Sequence, residues 1–131
     1  MNKNIVVTAT SLAGLAVILG AFGAHGLKKV ATPEQVLSFD TAVRYQMYHA
    51  LALLVIGLSG KLPDSLKKLV CRLFYWGVLL FSGSIYLFTF KDQLGFEVGK
   101  LGLITPVGGI LLMTGWLVLV YKIVNLKNFK N

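Results

Sequence analysis

The sequence predicts an all-α integral membrane protein, a four-helix transmembrane bundle with both termini in the cytoplasm. Three observations carry that prediction. The 131 residues are 56% hydrophobic and only 14% charged, against roughly 25% charged in a soluble domain, and mean hydropathy is +0.73. Four apolar stretches, 5–27, 39–58, 69–90 and 101–123, stand out. Each is about 20 residues, enough at about 1.5 Å per residue to cross a hydrocarbon core of ~30 Å. Finally, the basic residues sort by side. Eight of them (Lys3, Lys61, Lys67, Lys68, Arg72, Lys122, Lys127 and Lys130) fall with the termini and the second link. Five (Lys28, Lys29, Arg44, Lys91 and Lys100) fall on the other side. The positive-inside rule then places both termini inside.

Four spans use most of the chain, so the sequence forms a single membrane domain and any site lies in or at the bilayer. The net charge of +8 would suggest nucleic acid in a soluble protein. Here the charges sit in links and tails, where they orient helices and attract anionic headgroups. The single cysteine, Cys71, excludes an internal disulfide. The first apolar stretch continues to about Leu27 behind a basic region of Lys3 alone, so it reads as a span and not as a cleaved leader.

Taken in order, the first span carries Ala16, Gly20 and Ala24 every four residues, a small-residue stripe that lets another helix come close. Gly26 suits a helix C-cap. Thr32-Pro33-Glu34-Gln35 reads as a helix start, with Thr32 as N-cap and Gln35 closing a capping box. The second helix therefore begins near Pro33, before its apolar stretch. Ser59–Asp64 holds strong breakers. The third span carries Tyr75 and Trp76 near its inner end, and Trp116 and Tyr121 approach the same interface in the fourth. The link between them holds Asp92 and Glu97 among lysines, so its charges are placed to pair. Pro106 removes a backbone donor and is expected to kink or break the fourth helix.

Ionisable and polar groups inside a membrane are costly and mark a functional-site hypothesis. His49 is near the midplane of the second span, with Tyr45 and Tyr48 just outward. Ser82, Ser84 and Thr105 share the outer half. These six residues are the candidate lining of an outward-facing polar pocket, with interhelical hydrogen bonding as the plainer reading of the same residues. Asp40 and Arg44, four apart, are a candidate ion pair or anion contact at the interface. His25 and His49 differ in depth by about 10 Å, too far for one ion at ~2 Å bonds. No metal or cofactor is expected. The sequence also has no carboxylate near the middle of a span, no Walker A, no CxxC and no HExxH, and no catalytic residue is assigned.

Four segments, Gly20–Leu27 (GAFGAHGL), Thr41–Leu54 (TAVRYQMYHALALL), Phe81–Tyr86 (FSGSIY) and Ile104–Gly109 (ITPVGG), follow one another with one per span. In that order they resemble the signature segments of the Domain-of-Unknown-Function 423 family of small bacterial membrane proteins, which is similar to a small eukaryotic transmembrane family. The resemblance implies a four-helix plasma-membrane protein and brings no substrate, cofactor or catalytic residue. The expected function is that of a non-catalytic membrane component, an accessory or assembly partner within the lipid bilayer, as a homo-oligomer or in a larger complex. The alternative is an oligomeric transporter, channel or small-molecule-binding protein with an outward vestibule.

Overall fold

A computed structural model describes residues 1–126. Lys127 and Lys130 of the charge count lie outside the described residues. Four long helices follow one another: α1 Lys3–Ala24, α2 Pro33–Leu58, α3 Asp64–Thr89 and, after the short α4 Lys91–Leu94, α5 Ile104–Val124. Three segments, Lys3–Lys29, Asp64–Thr89 and Gly99–Val124, are long and apolar enough to cross a membrane. α2 is as long as α3, but with Arg44, Gln46 and His49 around its middle it falls outside that set.

The helix starts follow local chemistry. Asn2 caps α1 through its side chain, which accepts from the Ile5 amide at 3.3 Å. The expected capping box of α2 is present: the Gln35 amide donates to Thr32 Oγ1 at 3.2 Å, and the Thr32 amide donates to Gln35 Oε1 at 2.9 Å. Pro33 occupies the first turn, where no amide donor is needed.

Three expectations are corrected. Gly26 is not the C-cap of α1. The helix ends at Ala24, His25 takes the cap position, and Gly26 opens a 3-10 turn through Lys29. Glycine serves there because the Phe22 ring would lie 3.0 Å from any Cβ. Pro106 does not kink a continuous helix either. A 3-10 segment, Gly99–Leu103, passes into α5 at Ile104, so Pro106 falls in the first turn, where its missing N–H leaves no bond unmade. The 91–100 link also leaves its charges apart: neither Asp92 nor Glu97 pairs with Lys91 or Lys100 among the described residues.

The helices pack in series, α1 on α2, α2 on α3 and α3 on α5. α1 and α5 have no extended backbone approach to each other, so the row is open and not closed into a ring. Accordingly only 17% of the apolar window of α1 and of α5 is buried, against 33% in α3. The start of α1, the 59–63 link and the end of α5 share one end of the molecule, called here the terminal end; the other links form the distal end. The terminal end is tied by polar contacts. The Asn2 amide donates to the Gly57 carbonyl at 2.8 Å, and Asn2 Nδ2 donates to Asp64 at 2.8 Å. Lys67, only 5% exposed, donates to the Ser59 carbonyl, placing a cation where the α2 dipole ends. Ile5, Ala9, Leu53, Val70, Phe74 and Leu112 belong to one apolar core cluster.

Candidate functional site

One face of α2 is buried along its length: Phe39, Ala42, Gln46, His49, Ala50 and Leu53. The spacing of three and four is that of a single helical stripe. Each polar group on that stripe is bonded to a neighbouring helix. Gln46 Nε2 donates to the Leu12 carbonyl of α1 at 2.8 Å, and Tyr86 Oη of α3 donates to Gln46 Oε1 at 2.8 Å. One side chain thus joins three helices. Ser82, fully buried, donates to the Ala42 carbonyl at 2.7 Å. Ser84 and Thr105 share a hydroxyl–hydroxyl bond between α3 and α5.

His49 is 5% exposed and uses both ring nitrogens. Nδ1 lies 2.7 Å from the Tyr45 carbonyl, and Trp116 Nε1 donates to Nε2 at 3.0 Å. An indole N–H can only donate and a carbonyl can only accept. The pattern therefore assigns a neutral imidazole with its proton on Nδ1. The ring packs edge-on to Phe74, with centroids 4.9 Å apart. Among the described residues no buried side-chain nitrogen or oxygen lacks a partner.

The six residues expected to line one pocket do not do so. Ser82, Ser84, Thr105 and His49 form three separate interhelical bonds. Tyr45 and Tyr48 are 41% and 56% exposed; the Tyr45 ring stacks beside His49 with centroids 6.3 Å apart, but of the two residues only the Tyr45 backbone carbonyl hydrogen-bonds into the network. The reason is angular. Successive residues turn by about 100°, so 45 and 48 lie off the stripe that carries 42, 46 and 49. Asp40 and Arg44 meet at 2.7 Å on an exposed face. Of the α1 stripe, Ala16 is buried and Gly20 faces Val43, but Ala24 is exposed. A strict four-residue repeat drifts by about 40° per step, so Gly23, against the Phe39 ring, takes over the contact. Among the described residues no group of three His, Cys, Asp or Glu is placed to hold a metal ion.

Gln46, Tyr86 and Trp116 complete the network, and none was in the expected set. Gln46 had a usable signal, since it lies three residues before His49 on one face. Trp116 had none, because a tryptophan near a span end ordinarily reads as an interfacial anchor.

Four cavities are prominent, and none has His49 in its wall. Three lie at the distal end. One is a cleft of about 490 Å³ between the first turn of α2 and the end of α3, lined by Glu34, Ser38, Phe88, Lys91, Asp92 and Val98 among others.

The long apolar helices, with their buried polar groups bonded to neighbouring helices, define the class: an all-helical membrane protein. Comparison with known proteins gives the particular family. The family model described as "Protein of unknown function (DUF423)" matches residues 19–109. A UPF0382 membrane protein of Staphylococcus epidermidis is 40% identical over 118 residues, covering 90% of this chain and 93% of its own length. One from Haemophilus influenzae is 38% identical over 121 residues, covering 91% and 93%. The UPF0382 membrane protein YwdK of Bacillus subtilis is 34% identical over 120 residues, covering 90% and 94%. No solved structure matches the chain. The chain belongs to the UPF0382/DUF423 family of bacterial membrane proteins.

Proposed function

We propose that this protein is a non-catalytic membrane component that works by association, as an accessory or assembly partner. In this reading all four long helices span the bilayer, over 5–27, 39–58, 69–90 and 101–123, with both termini cytoplasmic. The observation that supports it is the saturation of the buried polar groups. Every such group among the described residues is bonded to protein, so none is left aimed at a substrate, ion or water path. The open row of helices adds to this, because α1 and α5 leave most of their apolar surface to a neighbour or to lipid.

Crosslinking in native membranes followed by affinity purification in mild detergent tests the reading. Recovery of a stoichiometric partner or of a defined self-assembly is the expected outcome. A solitary protein that passes a solute in liposomes overturns it. Impermeant labelling of single cysteines at both termini and in the 91–100 link tests the topology, with only the link labelled from outside.

A further inference from the structure

The 490 Å³ distal cleft falls in the size range of small-ligand sites, roughly 300–1,000 Å³. Its charges are mixed and unspent. Glu34 from α2, with Lys91 and Asp92 from α4, lines it, two carboxylate side chains and one ammonium. None of the three has an ion-pair partner among the described residues. By contrast, Thr32 and Gln35 at the rim are committed to each other in the capping box, so Lys91 and not the helix terminus is the anion-binding element. Ile85 and Phe88 of α3, with Val98, supply an apolar wall.

From this arrangement we propose that the cleft binds a zwitterion carrying a primary ammonium beside a phosphate, the chemistry of phosphoethanolamine. The carboxylates take the ammonium through charge-assisted hydrogen bonds, Lys91 takes the phosphate, and the apolar wall takes the attached glycerol or acyl portion. Other classes fit less well. A free anion meets two carboxylates, and a bare divalent cation meets Lys91. A trimethylammonium group keeps its charge but has no N–H to donate. The proposal rests on the span placement above only for the level of the cleft, which that placement sets at the headgroups of the outer leaflet.

Native mass spectrometry of the full chain in detergent, with chain-matched phosphatidylethanolamine, phosphatidylcholine and phosphatidylglycerol, tests it. Phosphatidylethanolamine is expected to bind about fivefold more tightly than either competitor, as befits two exposed charge contacts. The double variant Glu34→Gln/Asp92→Asn should bring the three lipids to parity, and Lys91→Gln should weaken phosphatidylethanolamine binding about threefold. Lys3→Gln, at the terminal end and outside the cleft, should change nothing. Competition by soluble glycerophosphoethanolamine assigns the site to a free zwitterion; failure to compete assigns it to the membrane lipid. Equal binding of all three lipids, or a preference that survives Glu34→Gln/Asp92→Asn, overturns the proposal. These readouts are independent of orientation. Impermeant labelling of Leu94→Cys in a Cys71→Ala background reads the span placement separately, so a failed topology and a failed site are told apart.

Discussion

The α1–α2 seam and the α3–α5 seam both rely on small residues, but they use them differently. In α1 the predicted stripe is forgiving. A Cβ on Gly20 would stand 3.4 Å from Val43, an ordinary van der Waals contact. That seam tightens off the predicted stripe, at Gly23, where a Cβ would stand 3.0 Å from the Phe39 ring, and at the terminal end, where Gly57 of α2 lies against Val6. The α3–α5 seam is tighter, at Gly77, Gly108 and Gly115. A Cβ on Gly108 would overlap the backbone of Leu80 and Phe81. One on Gly77 would lie 2.5 Å from Leu112, and one on Gly115 would lie 2.5 Å from the Phe74 ring. In lipid there is no hydrophobic gain from pairing apolar helices, so close packing and interhelical hydrogen bonds carry association. A small residue matters by what stands opposite it, and backbone cannot move aside as a side chain can.

The largest expected effect tests that statement directly. Gly108→Ala should cost about 3 kcal/mol of stability in a detergent denaturation series, at the high end for overpacking, because the new methyl meets backbone. Gly115→Ala should cost less, about 1–2 kcal/mol, since the Phe74 ring can tilt. If both are as mild as Gly20→Ala, which should stay within about 0.5 kcal/mol of the parent, the contrast between the seams disappears.

A smaller effect sharpens the comparison in the polar layer. His49→Ala removes a cross-bundle bond from α2 to α5 and should cost about 1–2 kcal/mol, whereas Trp116→Phe, which deletes one donor, should cost about 0.6 kcal/mol. A double-mutant cycle on the pair should return a coupling near ~0.6 kcal/mol; a coupling of zero would break the assigned bond. Smallest of all, Arg44→Gln should leave the unfolding midpoint unchanged, because its pair with Asp40 is held on an exposed face.

The legible and illegible parts of the molecule divide along physical lines. The capping box at Thr32 and Gln35 was readable because a cap is local, made by residues three apart. The importance of α2 was readable from the cost of polar groups in an apolar helix. Depth alone groups Tyr45 and Tyr48 with His49, and depth does not fix the angle around the helix axis. Gln46 was within reach of an angular argument. Trp116 was not, since its partner lies 67 residues away and its position reads equally well as an interfacial anchor. The distal cleft joins the start of α2 to α4, and no spacing within either segment announces it.

By itself the sequence determined that this is a helical membrane protein, how α2 begins and which family it belongs to. These follow from composition, local hydrogen bonding and matching segments, all of which act along the chain. Only the tertiary structure decided that the helices pack in an open series, that glycines on α3 and α5 bring two backbones together, and that His49 is bonded to Trp116 and not open to a vestibule. Those outcomes depend on which faces meet across the bilayer plane. Side chains bonded at 2.8–3.0 Å across helices are selected by rotation and tilt, which a one-dimensional pattern leaves free.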